Sequence, residues 1–399
     1  MKSRLLIAAL GLLLTACAAT PAPTRVQARP SSHALPSATP SPDASPTPSP
    51  TFIPTETAIV ATVTPVVVTA TAVPTPTPLP SLTPVPQPSL RRLTSGNCCT
   101  RPFWSPDSRQ VRFIDRPPSR PQGIYGVDAR RSSPPILVTD RIVTTSGNGD
   151  FYVYPQGDLT IVQRAATGEQ YVIPNGGRAV SVSPDGQRLL WQVTDQRGGF
   201  DRRYSQTWVA NVDGSEPRVV AKTVGVSQSQ WVDERRVLLV GLPLEDQPYL
   251  VAAAVLTLET ESGDQWVEIA RIARPRGMLL SPQGGWLAYL LTFQSIASNN
   301  GLWLVPTDGS QAPRKMDFFG GYRWRDDARL IYVPLDMGVE SHTLWEYDAL
   351  NAKSRRLTDP ARTSFKIAND DWAVSPDGRY IVFVGAGDHN LWLMDLQAD

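Results

Sequence analysis

The residues of this 399-residue chain whose types could do chemistry are few. Two cysteines stand side by side, Cys98-Cys99, in the stretch SGNCCTR. Adjacent α-carbons lie ~3.8 Å apart across a trans peptide, below the usual disulfide span of ~4.4–6.8 Å. Two free thiols are therefore the expected state, and a bridge between them would be a strained redox or ligand-contact feature. Only three histidines occur, His33, His342 and His389, too scattered for a site that needs several His, Cys, Asp or Glu to converge on a metal. The acidic pairs Asp326-Asp327 and Asp370-Asp371 read as turn and strand-start residues rather than as catalytic dyads. No G-x-S-x-G nucleophile elbow occurs. On these residues no catalytic group, no metal and no cofactor is expected, and the chain is not expected to be an enzyme.

The elements that would position any site form an internal repeat. Its clearest copies are FWSPDSRQVRF (103–113), SVSPDGQRLLW (181–191), LLSPQGGWLAY (279–289) and AVSPDGRYIVF (373–383). Weaker copies are QWVDERRVLLV (230–240), RWRDDARLIYV (323–333) and TSGNGDFYVY (145–154). Aligned on the residue before the turn, the anchors are Trp104, Thr145, Val182, Trp231, Leu280, Trp324 and Val374. Seven units at spacings of roughly 37 to 50 residues have the period of propeller blades. Within SPDG, Pro presets φ for the second position of a turn, Asp suits the third, and Gly accepts positive φ. Each unit thus predicts a hairpin followed by a third strand, such as TWVANVDGS (207–215) or LWLVPTDGS (302–310), and then a fourth.

These units resemble the repeat of TolB-like, WD-repeat-related β-propellers, with its W-S-P-D-G core, and the resemblance covers residues 90–399. It implies an all-β, seven-bladed propeller of four-stranded antiparallel blades. It implies little about activity, because such propellers serve as partner-binding domains, peptidase gates and scaffolds. The pattern is weakest in blades 2, 4 and 6. The last unit stops before a fourth strand, and LRRLT (90–94), the counterpart of SRRLT (354–358), is expected to supply it and close the ring.

Counting back three to four residues from the anchors places Arg101, Arg141, Arg178 and Arg276 at the fourth-to-first-strand connections of blades 1, 2, 3 and 5. Blade 7 has Asp370 and Asp371 there. The same face carries the loops DQRGGFDRRYSQ (195–206) and TFQSIASNNG (292–301), which contribute Phe200, Arg202, Arg203, Tyr204 and Phe293. The expectation is an electropositive channel mouth for an anionic ligand, either an acidic glycan or a partner's carboxylates. The alternative is that each arginine pairs with a neighbouring Asp or lies solvated. The 11 tryptophans all fall in the repeats; their recurrent register argues for packing between blades rather than a stacking platform.

Ahead of the repeats, MKSRLLIAALGLLLTAC combines early positive charge with a short apolar run, the order of an export signal. Its last four residues, Leu14-Thr15-Ala16-Cys17, resemble the bacterial lipobox, which implies cleavage before Cys17 and lipidation of its thiol. Residues 18–89 are rich in Pro, Thr and Ser and read as a disordered stalk with no packed core. The net charge of +1 gives no field for a polyanion such as nucleic acid.

The expected organisation is a signal peptide (1–17), a stalk (18–89) and a propeller (90–399). The expected protein is exported, held to the membrane by its lipid alone, monomeric, and bound to a protein or acidic-glycan partner. Two alternatives are a carbohydrate-active lyase or hydrolase at the channel mouth, and an accessory subunit of an envelope complex by analogy with TolB.

Overall fold

A computed structural model describes residues 88–397, apart from 198, 200–202, 243–250, 273–274 and 337. The chain divides into Met1–Leu79 and Pro80–Asp399, and every described residue belongs to the second unit. Its strands form seven antiparallel blades arranged in a ring, the architecture that the repeat predicts. Blade 1 shows the plan. Thr100–Trp104 is innermost, followed outward by Gln110–Asp115, Gly123–Asp128 and Ile136–Thr139. Turns joining strands one to two and three to four lie on one face (the turn face). Connections from strand two to three, and from blade to blade, lie on the other (the loop face).

Of blades 2, 4 and 6, where the sequence pattern is weakest, two depart from this plan. Blade 6 is a regular four-stranded unit. In blade 2 the inner strand shrinks to Thr144–Thr145. Blades 3 and 4 merge into one seven-stranded sheet, because Arg218–Trp231 serves as the outer strand of blade 3 and then as the inner strand of blade 4. Its register shifts between Val224 and Gln228, where the strand passes from one role to the other.

Ring closure follows the expected route with bounds one to two residues earlier. The closing strand is Ser89–Arg92, paired with Leu391–Asp395 in the register Ser89 to Asp395 and Arg92 to Trp392. Beyond it, Leu93 N–H still donates to Leu391 O at 2.8 Å. Without this strand the last blade would present an unpaired edge.

The core sits between blades. Period-two alternation sends Leu189 toward blade 2 and its neighbour Leu190 toward blade 4, and both are buried. The tryptophans at strand-one ends add a recurring bond. Trp104, Trp231 and Trp324 each donate Nε1–H to an inner-strand carbonyl of the preceding blade, Ala373, Ser181 and Leu279, at 3.3, 3.3 and 3.0 Å. These are packing residues, as their register predicts.

The first turn is held in two ways. In blade 3, Ser183 Oγ donates to Asp185 at 2.5 Å, and Gln187 N–H donates to the same carboxylate at 3.1 Å. Blade 5 reads Ser281-Pro282-Gln283-Gly284 and has no acid of its own. There Asp327 of blade 6 accepts the Ser281 hydroxyl and the N–H groups of Gln283 and Gly285, the latter two at 3.1 Å. A Cβ on Gly285 would meet Asp327 Oδ2 at 2.4 Å, so glycine at 285 is what admits the neighbour's carboxylate.

Candidate functional site

Arg178 is the most firmly positioned of the arginines on the loop face. It follows Asn175-Gly176-Gly177 in the connection from blade 2 to blade 3. Buried Asn175 accepts the Arg178 N–H at 3.2 Å and donates to the Arg178 carbonyl at 3.0 Å. Buried Thr160 donates its hydroxyl to the same carbonyl at 2.7 Å. The guanidinium curls back so that Nη1 donates to Asn175 O at 2.6 Å. Gly176 has φ +74°, which favours glycine, and a Cβ there would lie 2.2 Å from that Nη1, so a larger residue would push the guanidinium aside. One of five guanidinium N–H donors is thereby used, and among the described residues no carboxylate pairs with the rest.

Arg178 lines a cleft of about 600 Å³ with Thr144 of blade 2, Ser181, Gln192 and Gln196 of blade 3, and Ser229 of blade 4. Trp191 forms part of its wall and stacks on Trp208 with ring centroids 6.0 Å apart. Behind the lining runs a network of hydroxyls. Gln192 Nε2 donates to Ser227 Oγ at 2.7 Å and to Thr207 Oγ1 at 3.2 Å. Ser227 and Thr223 share a hydrogen bond of 2.8 Å, and Thr194 and Ser205 one of 2.9 Å. Thr207, Ser205 and Thr223 are buried, so their satisfied bonds hold the wall rigid. The cleft is thus one cation in a setting of neutral donors and acceptors.

These neutral residues were not singled out in the sequence, although a signal was present. Gln192 stands where blades 1, 5, 6 and 7 carry Ile114, Leu290, Val333 and Val384.

The other predicted arginines are on the same face but do not join Arg178 in the cleft. Arg101 lies within the inner strand of blade 1, exposed, at φ +51°. Arg141 lies with its guanidinium 5.0 Å from the centre of the Tyr154 ring. Arg276 lies 5.7 Å from that of Phe293, which is 77% exposed and left-handed at φ +56°. None of these arginines has an ion-pair partner among the described residues, so pairing with a local Asp is not their role. Tyr204 is exposed but begins a strand rather than lying in a loop. Arg203 precedes it, its carbonyl accepting Gly225 N–H at 2.8 Å. Arg197 of the same loop is neutralised by Asp195, whose carboxyl it holds down at about 2. Phe200, Arg202 and Cys17 lie outside the described residues.

The remaining chemical candidates are accounted for structurally. Asp326 accepts the N–H groups of Ala328 and Arg329 in its own turn, and Asp327 holds the turn of blade 5. Asp370 accepts Trp372 Nε1–H at 2.6 Å and pairs with Arg323 at 3.1 Å. His342 accepts Ile367 N–H on Nδ1 at 3.2 Å, and burial pushes its pKa down. Glu346 is buried between Arg325 at 2.5 Å and Arg355 at 2.6 Å. Burial pushes its pKa up, but the hydrogen bonds from Arg355 and Arg325 outweigh this and hold it below its ordinary value. Cys98 and Cys99 are bridged to each other, which corrects the expectation of two thiols. The backbone at Cys99 is left-handed, φ +87°, a conformation that the argument from α-carbon spacing does not consider.

No family profile matches the chain, and no curated protein matches it. Solved structures do. An oligogalacturonate lyase from Vibrio parahaemolyticus matches at TM-score 0.54 and 12% identity, over 77% of this chain and 97% of the lyase. An oligogalacturonate lyase in complex with manganese matches at TM-score 0.54 and 14% identity, over 77% and 92%. The propeller domain of the trilobed protease from Pyrococcus furiosus, which has an open velcro topology, matches at 0.50 and 11%, over 76% and 97%. The two lyases overturn the expectation that the chain is not an enzyme. Nearly their whole length is the fold seen here, so a propeller with no added hydrolase domain is a scaffold on which catalysis occurs. Among the described residues no group of three or more His, Cys, Asp or Glu could hold a metal ion.

Proposed function

We propose that the loop face of this propeller recognises a carboxylate-bearing ligand, with Arg178 as the primary contact and an acidic oligosaccharide as the ligand class. Arg178 carries the reading. It is a guanidinium held by Asn175 beside Gly176, with no carboxylate partner among the described residues, in a cleft whose polar lining is otherwise amides and hydroxyls. Such a lining suits the hydroxyls of a sugar, and the guanidinium its carboxylate. Arg141 and Arg276, unpaired on the same rim, extend favourable potential toward a longer anionic chain.

A second reading is favoured by the two lyase neighbours: the cleft acts on such a ligand, with Arg178 holding its carboxylate. In either case the chain is read as exported and tethered through a lipid on Cys17, with residues 18–89 as the spacer.

The test is affinity for an oligogalacturonate compared with its methyl ester. Arg178→Ala should weaken acidic binding roughly 10- to 100-fold, the worth of one charged hydrogen-bonded contact. Gly176→Ala should weaken it in the same direction by displacing the guanidinium. Unchanged affinity in Arg178→Ala, or equal binding of acid and ester, defeats the reading. Release of unsaturated uronate products would favour the catalytic version.

A further inference from the structure

Cys98 and Cys99 lie in the link from the closing strand to the inner strand of blade 1, a segment with no part in the Arg178 cleft. In this link Asn97, Cys99 and Arg101 adopt φ of +54°, +87° and +51°. Residues with a Cβ avoid this region, and they hold it only where their surroundings impose it. Two groups do so here. One is the disulfide, which joins Cys98 and Cys99 into a single small ring. The other is Thr94, a buried hydroxyl lying 3.0 Å from Cys98 Sγ and 3.8 Å from Cys99 Sγ.

Thr94 also closes the propeller. Its Oγ1 accepts Leu391 N–H at 2.9 Å, while Leu391 O accepts Leu93 N–H at 2.8 Å. A disulfide sulfur carries no proton, so Thr94 donates its own proton toward Cys98 and keeps its lone pairs for Leu391. The bridge therefore sets the polarity of a hydroxyl on which the loop-face end of the closure depends. Exposure differs between the two sulfur-bearing residues. Cys99 is 8% exposed and packs into the cluster between blades 7 and 1, whereas Cys98 is only partly buried.

We propose that Cys98–Cys99 is a redox modification site, a substrate for thiol–disulfide exchange with a dithiol reductant, and that its reduction loosens the ring closure at Leu391. A thiolate of the reductant attacks the more accessible Cys98 Sγ, forming a mixed disulfide and expelling Cys99 as a thiolate. The reductant's second thiol then attacks its own sulfur in that mixed disulfide and expels Cys98. Both cysteines take up protons. In sum, two electrons and two protons pass to the protein, and the reductant leaves as its disulfide. Cys99 is then free to leave the left-handed region. Each new thiol can donate to Thr94 Oγ1 and compete there with Leu391 N–H.

The test needs no ligand, so its outcome is independent of the carbohydrate reading. The full chain carrying Cys17→Ser retains only these two cysteines. It is treated under native conditions with dithiothreitol or left untreated, then alkylated with N-ethylmaleimide and weighed intact. The expected result is no adduct before reduction and one on each sulfur after it. Exchange of the Leu391 amide should become about tenfold faster on reduction and return on reoxidation with glutathione disulfide. The Cys98→Ser/Cys99→Ser variant should exchange fast in both conditions; should it not fold, reduced wild-type protein supplies the same comparison. Alkylation of both sulfurs without reductant, or Leu391 exchange that is the same in both redox states, overturns the proposal.

Discussion

Replacing Asp327 with Ala should destabilise a blade to which Asp327 does not belong. The carboxylate accepts three hydrogen bonds from blade 5, from the Ser281 hydroxyl and the N–H groups of Gln283 and Gly285. A hydrogen bond to a charged group is worth about 1.5–3 kcal/mol net when buried. Gln283 is exposed and its N–H can turn to water, so its share is small, and Gly285 is half-buried. Summing with that discount gives about 3 kcal/mol, or roughly 6 °C in melting temperature for a domain of this size. A thermal melt followed by near-ultraviolet circular dichroism measures it, with Trp286, which follows the turn, as a local reporter. Gln283→Asp in the Asp327→Ala background restores the arrangement of blade 3, where Asp185 serves its own turn. It should recover most of the loss. The reasoning is refuted if Asp327→Ala melts with the wild type, or if Gln283→Asp brings no recovery.

Two further perturbations test the closure and the titration of a buried histidine. A chain beginning at Asn97 lacks the Ser89–Arg92 pairing, the Thr94 hydroxyl and the partly buried Leu90 and Leu93. It should lose about 4 kcal/mol relative to one beginning at Pro88, and equal melting temperatures would sink the closure. His342 has its pKa pushed down, first by burial and then by Lys366, with Asp336 opposing. The unfolded chain thus binds this proton more readily than the fold does. The neutral ring's contribution is present above about pH 6.5 and is lost as pH falls from there through the lowered folded value. His342→Asn, which keeps an acceptor for Ile367 N–H, should flatten the melting temperature between pH 7.5 and 5 relative to wild type.

The blades were legible because four of the seven open on a chemically specific hairpin, Ser-Pro-Asp in blades 1, 3 and 7 and Ser-Pro-Gln in blade 5, and set the period for the rest. A Ser-Pro-Asp turn followed by alternating apolar residues has few other readings, and the seven anchors fall at inner-strand ends. The merger of blades 3 and 4 was hidden because only Gly225, at φ +78°, marks in RVVAKTVGVSQSQW where one strand's role ends. Asp327 was readable as a turn residue, but not as the turn residue of another blade, which depends on ring geometry and on Gly285. In the same way Arg178 could be found by counting from an anchor, while its cleft could not, since Thr144, Ser181 and Ser229 meet only when blades 2, 3 and 4 stand side by side. The disulfide failed for a different reason. Spacing between α-carbons is set by the peptide bond, whereas the directions of the two sulfurs are set by a φ that sequence does not display.

Opening of the ring and exposure of the cleft are separable, and the register of the closing strand shows why. Ser89 pairs with Asp395, beside the start of the second strand of blade 7, so the chain joins the ring at its turn face. It runs outward of Leu391–Asp395 to Arg92, and only then crosses the loop face through Thr94, Cys98 and Cys99 to the inner strand of blade 1. The cleft of Arg178 opens on that loop face, two blades further round. The closing strand is therefore entered at the turn face, the face away from the cleft. The disulfide, in contrast, lies on the rim itself, at the one seam where the ring is held by strands from opposite ends of the chain.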